Sequence, residues 1–176
     1  MSRDWETKIK WNVKLFYFIN SRRSEFLDKF YKKFFYMGKS YSLPIYLAFF
    51  WIFGLPKQAY IHLIISLLLT GIMMPTIKYT FRHKRPSSLL ENVNLLEPVS
   101  LKSFPSADSA YIFTIFSVSL FYPYPLLWFI LLSLVIIIGY GRVYMGAHFP
   151  LDVIVGYIFG FICGVAGFYI LQNLAL

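Results

Sequence analysis

The hydrophobic pattern divides the chain into a basic, amphipathic first part and a strongly apolar remainder. In residues 1–40, aromatic and aliphatic side chains alternate with lysines and arginines, and no apolar stretch is long enough to cross a bilayer. Basic residues interleaved with aromatic ones are typical of helices that lie in a membrane interface. This part is therefore predicted to form amphipathic interfacial helices.

Five apolar segments follow in residues 41–176, bounded by prolines and short polar turns. Their approximate limits are Tyr41–Leu55, Gln58–Ile77, Asp108–Tyr122, Tyr124–Tyr140 and Leu151–Leu171. Because roughly 20 apolar residues cross a bilayer as a helix, the longer segments have the length of a span, and the first needs the residues before it. The pattern predicts an all-α fold: a polytopic membrane helix bundle of about five spans (five or six), built as a single membrane-embedded domain over residues 1–176.

Composition supports a membrane location. The chain is 58% hydrophobic and only 14% charged, whereas soluble domains carry about 25% charged residues. Its net charge of +9 does not indicate nucleic acid, because the cations gather in the N-terminal region and one loop. Anionic lipid headgroups are the expected partner, and no obligate protein partner is expected.

The connections between the apolar segments place three polar motifs on one membrane face. With five spans, the long loop of residues 78–105, the turn of residues 142–148 and the N-terminus share that face, and the opposite face holds almost no charge beyond Lys57. The motifs are Lys78 to Pro86, Phe104 to Asp108, and Gly141 to Asp152. Charged residues near a bilayer are costly and are usually paired or functional.

Three cations from distant parts of the sequence converge on this face. Lys78, Arg85 and Arg142 repel one another unless an anion lies among them, and phosphate suits the forked guanidinium of arginine. The Ser106 hydroxyl and the Ala107 amide, at the start of a helix, are further donors for an anion. These five residues are predicted to bind phosphate.

His148 and Asp152 are four residues apart at the start of the last apolar segment. Pro150 suits the first turn of a helix, so the Asp152 carboxylate can reach back to the His148 ring. A carboxylate on one imidazole nitrogen leaves the other free to attack phosphorus, giving a phosphohistidine that water then hydrolyses. Because the cations stabilise the transition-state charge, neither a metal nor another cofactor is expected.

Together these residues resemble the type-2 phosphatidic acid phosphatase superfamily, whose signature is K-x6-R-P, then P-S-G-H, then S-R-x5-H-x3-D. The residues that match it are Lys78, Arg85, Pro86, Pro105, Ser106, Arg142, His148 and Asp152. The resemblance covers about residues 78–160. It implies that His148 is the nucleophile and Asp152 its orienting partner, with the phosphate held by Lys78, Arg85, Ser106 and Arg142.

Two departures from this signature matter. Gly141 replaces a serine, and Asp108 stands where the family has the histidine that is thought to protonate the leaving oxygen. An ordinary carboxyl is ionised at neutral pH and cannot donate a proton. Three interpretations stay open: Asp108 is a tuned catalytic acid, His83 substitutes for it, or the leaving group needs no acid. The last favours a diphosphate or a phosphate on the anomeric carbon of a sugar.

The resemblance leaves several substrates open. Compact members of the family include lipid A 1-phosphatases, undecaprenyl diphosphate phosphatases and phosphatidylglycerophosphate phosphatases. Lipid A 1-phosphate is the preferred prediction, with undecaprenyl diphosphate, phosphatidylglycerophosphate or phosphatidic acid as alternatives. Asp108 also motivates a different class, a catalytically silent protein that binds lipid phosphate. A transporter or channel is disfavoured because the spans carry no polar stripe.

Two features of the sequence imply opposite orientations in the membrane. Positive residues usually stay in the cytoplasm, which would place the N-terminus and the site there, whereas the resemblance implies an outward catalytic face. We follow the resemblance and expect a multi-pass protein of a bacterial inner or plasma membrane with an extracytoplasmic (periplasmic) site.

Small and polar residues within the spans predict how the helices pack. Gly156, Gly160 and Gly164 form one stripe, which predicts close helix packing, with homodimerisation as the alternative. His62 lies in the middle of a predicted span and is expected to hydrogen-bond to a neighbouring helix.

Overall fold

The computed structural model describes residues 5–96 and 102–174, and within these ranges the chain is helical with no β-strand. A 3-10 turn at Trp5–Lys8 precedes seven α-helices. They are α1 (Lys10–Asn20), α2 (Glu25–Phe34), α3 (Leu43–Ile52), α4 (Lys57–Phe81), α5 (Ala107–Ser119), α6 (Pro125–Tyr144) and α7 (Pro150–Asn173). The all-α prediction is confirmed. The parts of the predicted N-terminal region and long loop at residues 1–4 and 97–101 lie outside the described residues.

Helices α4 to α7 form the bundle, and the prediction of a polytopic helical fold is confirmed. Among the described residues, three helical stretches, which begin at Lys57, Pro125 and Pro150, have the length and hydropathy of a membrane span. Helix α3 has 10 residues and α5 has 13, so both are shorter than a span. Helix α5 packs against α4, α6 and α7 and is buried along most of its length. Because protein rather than lipid surrounds it, α5 does not need the length of a free-standing span.

The glycine stripe of α7 faces α5 within the same chain. A β-carbon at Gly156 would lie 2.5 Å from the Ser106 carbonyl oxygen, and one at Gly164 would collide with Ser117. The predicted close packing is therefore confirmed, and α5 occupies the surface that homodimerisation would need. The expected His62 bond is also confirmed, because its Nε2 lies 2.8 Å from the Gly164 carbonyl oxygen.

The N-terminal helices pack against the same end of the bundle that carries the polar motifs. The Phe16 ring on α1 lies 5.5 Å from that of Phe149. The Asn12 side chain accepts a hydrogen bond from the Leu151 amide at 3.0 Å. Asn20 donates to the Tyr144 carbonyl at 2.9 Å. Asn12 and Asn20 are buried, so the first helices fix the turn between α6 and α7 in addition to presenting exposed aromatic residues.

Candidate active site

His148 lies in the tight turn between α6 and α7 and is almost fully buried. The amides of Ala147 and His148 donate to the Arg142 carbonyl at 3.1 and 3.2 Å. Gly146 has a φ of +74°, a left-handed conformation that glycine adopts without steric cost. The turn therefore holds the His148 ring at the end of the bundle, beside the start of α7.

Asp152 orients the His148 ring, as the four-residue spacing predicts. Its Oδ2 lies 3.2 Å from His148 Nδ1. The same oxygen accepts from the Phe149 amide at 3.0 Å and from the Ser103 hydroxyl at 2.5 Å. An oxygen that accepts from several donors belongs to an ionised carboxylate. His148 therefore carries its proton on Nδ1, and the lone pair on Nε2 is available for attack.

The surroundings of His148 favour the neutral ring. Burial, followed by the positive charge of Arg85, keeps the pKa of His148 well below its usual range, although Asp152 opposes this shift. At neutral pH the ring is consequently unprotonated on Nε2. A nucleophilic histidine needs this state, because an imidazolium has no lone pair to donate.

The predicted phosphate-binding cations converge on the histidine. Arg85 Nη1 lies 3.2 Å from His148 Nε2 and donates to the Ala147 carbonyl at 2.6 Å. Arg142, on the last turn of α6, and Lys78, on the last turn of α4, are both within electrostatic reach of Arg85 or His148. Arg85 and Arg142 are buried. Such a cluster of cations around a lone pair is suited to a tetrahedral oxyanion.

Ser106 and Ala107 begin helix α5 beside the start of α7. Ser106 is the N-cap: its Oγ accepts from the Ser109 amide at 3.4 Å and from the Ser109 hydroxyl at 2.8 Å. Its own amide donates to the Asp152 carbonyl at 3.0 Å, which joins the two helix starts. Amides in the first turn of a helix have no intrahelical acceptor, so Ala107 offers a donor at this position.

Asp108 forms ion pairs with two cations. Its Oδ2 lies 2.9 Å from Lys39 Nζ and 3.2 Å from Arg142 Nη1. The structure thus places this predicted catalytic residue near the cation cluster, as a carboxylate paired with Lys39 and Arg142. Both contacts favour the ionised form.

His83, the alternative acid, lies in a separate aromatic cluster. Its ring packs against Phe104, with centroids 5.0 Å apart, and the Trp5 indole nitrogen lies 2.8 Å from its Nε2. Burial is the largest influence on His83 and lowers its pKa, so the ring is neutral at neutral pH. A neutral imidazole is a weak proton donor, and this geometry does not favour His83 as the missing acid.

Sequence reasoning missed three residues of this region. Ser103 hydrogen-bonds to Asp152, Lys39 pairs with Asp108, and Glu6 is buried against Asp152. Ser103 lies three residues before Ser106 and could have been suspected from that proximity. Lys39 and Glu6 belong to the amphipathic N-terminal region, where similar charges are common, so only their tertiary positions distinguish them.

Metal ligands are not grouped in the part of the chain that the structure describes. Within residues 5–96 and 102–174, no three His, Cys, Asp or Glu side chains come close enough together to hold a metal ion. The metal-independent mechanism stays a prediction.

A neutral histidine backed by a carboxylate, set among cations at one end of a membrane helix bundle, defines a class of membrane-embedded phosphatase. The profile of the PAP2 superfamily matches residues 59–175. The chain belongs to this superfamily, which confirms the resemblance drawn from its motifs. It is an integral membrane lipid phosphatase.

Two curated relatives of this chain carry the name undecaprenyl-diphosphatase, one of them as a putative assignment. It is 31% identical over 157 residues to the undecaprenyl-diphosphatase of Sulfolobus acidocaldarius, covering 88% of this chain and 76% of that one. It is 33% identical over 126 residues to the putative undecaprenyl-diphosphatase YbjG of Escherichia coli, covering 68% of this chain. The match spans 62% of the Escherichia coli relative.

Two solved structures share the fold. LpxE of Aquifex aeolicus, a lipid A 1-phosphatase, superposes with a TM-score of 0.83 at 40% identity, covering 90% of this chain and 95% of that one. A phosphatidylglycerolphosphate phosphatase of Bacillus subtilis superposes with a TM-score of 0.71 at 19% identity, covering 94% and 85%. The second similarity concerns the fold alone.

Proposed function

We propose that this protein removes the 1-phosphate of lipid A through a phosphohistidine intermediate. The observation that carries the choice of substrate is the 40% identity to LpxE over nearly the whole of both chains. Undecaprenyl diphosphate is the second candidate, favoured by the two curated relatives at 31% and 33% identity. Both substrates have a better leaving group than a simple alcohol.

In the proposed mechanism, His148 Nε2 attacks phosphorus and the bond from phosphorus to the lipid oxygen breaks. Asp152 stabilises the positive charge that develops on the ring through the proton on Nδ1. Arg85, Arg142 and Lys78 neutralise the equatorial oxygens of the transition state. Water then attacks the phosphohistidine, releasing inorganic phosphate and restoring the neutral ring.

An apolar groove beside the site supports a lipid substrate. It has a volume of about 450 Å³ and runs between α4, α5 and residues 38–43. Leu68 and Tyr111 are among its lining residues, which also include Ala107, Asp108 and Lys39. When the phosphate of a lipid binds near the start of α5, the hydrocarbon chain of that lipid lies beside this groove. Burial of the chain there is favourable because it removes apolar surface from water.

For Asp108 we propose a role that differs from that of the histidine at this position in the family. As a carboxylate paired with Lys39 and Arg142, it holds the two cations at the phosphate site. A proton on Asp108 would weaken both ion pairs, which opposes a role as the acid. Departure of the lipid oxygen would then depend on the leaving group itself, in agreement with an anomeric phosphate or a diphosphate.

Phosphate release from detergent-solubilised lipids, with a chelator present, tests this function. We expect release from lipid A to exceed that from phosphatidic acid by about tenfold or more, with undecaprenyl diphosphate and phosphatidylglycerophosphate completing the panel. The variant Asp108→His should selectively increase the rate of phosphate release from phosphatidic acid, because an alcohol leaving group has the greatest need of protonation. Lipid binding with no release from any substrate would instead support the silent binding protein, and preference for undecaprenyl diphosphate would support the second candidate.

We also propose that the site faces away from the cytoplasm, in a bacterial inner or plasma membrane. Helix α7 leads from His148 to Asn173 at the opposite end of the bundle, so an outward site requires a cytoplasmic C-terminal end. A reporter fused after residue 176 measures this directly. A reporter active outside the cytoplasm would reverse the assignment.

A further inference from the structure

Glu6 is a buried carboxyl that the proposed mechanism leaves unused. It belongs to the 3-10 turn before α1, and its relative exposure, like that of Asp152, is 0%. The two carboxyls are close enough to share a hydrogen bond when one of them carries a proton. The N-terminal segment therefore brings a second carboxyl directly against the residue that orients His148.

Hydrogen-bond donors are distributed unequally between these two carboxyls. Asp152 Oδ2 accepts from Ser103, the Phe149 amide and His148. Asp152 Oδ1 and both oxygens of Glu6 are buried and receive no hydrogen bond from the described residues. A buried oxygen without a donor costs about 1–3 kcal/mol, and more when it is charged. A proton shared between Asp152 Oδ1 and one Glu6 oxygen gives both of these oxygens a partner and removes the charge from one carboxyl.

The proton belongs on Glu6. Two adjacent buried carboxyls cannot both be ionised, because their charges repel in a medium of low dielectric constant. Asp152 keeps its charge because donors surround Oδ2, whereas Glu6 has none. Burial, followed by the charge of Asp152, raises the pKa of Glu6 to about 11. At neutral pH the Glu6 carboxyl is thus protonated and able to donate.

The other groups that face Glu6 agree with this state. From the loop after α4, His83 Nδ1 lies 3.7 Å from Glu6 Oε2, but burial lowers the pKa of His83 and keeps it neutral. From α1, Asn12 donates to the backbone carbonyl of Glu6 at 3.3 Å and leaves the carboxyl untouched. The Trp5 indole nitrogen, which carries no charge, lies 2.9 Å from His83 Nδ1.

We propose that Glu6 is a positioning residue that stays protonated and donates a hydrogen bond to Asp152 Oδ1, extending the His148–Asp152 pair by a second carboxyl. This bond fixes the plane of the Asp152 carboxylate. It also limits the basicity of that carboxylate, so that His148 remains neutral over a wider range of pH. The proposal rests on the proposed function for the roles of His148 and Asp152, but the protonation of Glu6 can be tested without activity.

Two substitutions at Glu6 separate the hydrogen bond from the packing. Glu6→Gln keeps a donor toward Asp152 and should retain kcat within about threefold. Glu6→Leu fills the space without a donor, and kcat should fall about tenfold with little change in KM. The acid limb of kcat/KM should also move up by about one pH unit in Glu6→Leu, because a more basic Asp152 holds the His148 proton more strongly. The exposed Glu25 offers a matched control, and Glu25→Gln should change neither kcat nor the acid limb of kcat/KM.

Infrared difference spectroscopy of the solubilised protein reads the proton directly. At neutral pH, the spectrum of the unmodified protein minus that of Glu6→Gln should contain the carbonyl band of a protonated carboxyl, and the His148→Ala background should give the same band. Absence of the band would overturn the proposal. So would equal losses in Glu6→Gln and Glu6→Leu, or a Glu6→Leu protein with lowered thermal stability but an unchanged pH profile. Full turnover by His148→Ala would instead refute the proposed nucleophile while leaving the band in place.

Discussion

Substitution of His148 by alanine is expected to abolish phosphate release, with a fall in kcat of about 10⁴-fold or more. The imidazole is the only proposed nucleophile, and its Nε2 lies beside Arg85 with the carboxylate of Asp152 on the opposite nitrogen. Release of inorganic phosphate from lipid A measures the loss. The variant should still bind the lipid phosphate, because the cations that hold it remain.

The intermediate itself can be sought with radiolabelled substrate. A protein-bound label that survives alkali but not acid is expected of phosphohistidine, and it should be absent from His148→Ala. Turnover of the variant at the rate of the unmodified protein would contradict the mechanism. Equal labelling of both proteins would place the phosphoryl group on another residue.

The pH profile provides a further check on His148. Because its pKa lies well below the ordinary value of about 6.5, the nucleophilic form persists as the pH falls through 6.5. The acid limb of kcat/KM should accordingly appear below that value, since activity is lost only when the ring takes up a proton on Nε2. An acid limb at or above 6.5 in the unmodified protein would conflict with the buried, cation-flanked environment of His148.

Removal of the Arg85 side chain is expected to have the second largest effect, a fall in kcat/KM of about 10²–10³-fold. Arg85 is buried, and its guanidinium is within 3.2 Å of His148 Nε2. A phosphate that approaches this nitrogen comes into contact with the guanidinium. In the Arg85→Ala variant, the charge that develops on the phosphate oxygens would lose its nearest forked donor. Kinetics of Arg85→Ala on lipid A measure the loss.

Comparison with neighbouring substitutions separates local chemistry from general charge. Arg85→Lys keeps a positive charge without the fork and should recover only part of the rate. Arg82, three residues earlier, is exposed and contacts the Tyr79 carbonyl, so Arg82→Ala should remain within about twofold of the unmodified protein. Equal losses in Arg82→Ala and Arg85→Ala would show that the effect depends on surface charge rather than on phosphate binding.

Much of the candidate site follows from local sequence. His148 and Asp152 are one helical turn apart and Pro150 begins the helix, so their contact needs few distant residues. The glycine stripe of α7 is likewise periodic, and its packing against α5 agrees with that periodicity. Hydropathy also located all five apolar helices. The sequence also indicated that the first segment, which contains α3, is too short to span by itself. It did not predict that α5 is buried within the bundle, because hydropathy does not distinguish a helix surrounded by protein from one surrounded by lipid.

The partners of Asp108 and Asp152 could not be read in the same way. The substitution of Asp108 for the family histidine is visible in the sequence, but Lys39, its partner, lies 69 residues away. Glu6 is farther still from Asp152, in a segment whose composition predicts only a membrane-surface helix. Such contacts depend on how the N-terminal helices dock against the bundle.

The sequence by itself therefore determined the helical membrane fold, the family, the proposed nucleophile with its orienting carboxylate, and the cations predicted to bind phosphate. These features depend on hydropathy, on helical periodicity and on spacings within single motifs. Only the tertiary structure decided that Asp108 is paired with Lys39 and Arg142, and that Glu6 is buried against Asp152. The physical reason is that burial and charge pairing are set by residues brought together from distant parts of the chain, where no local spacing records them.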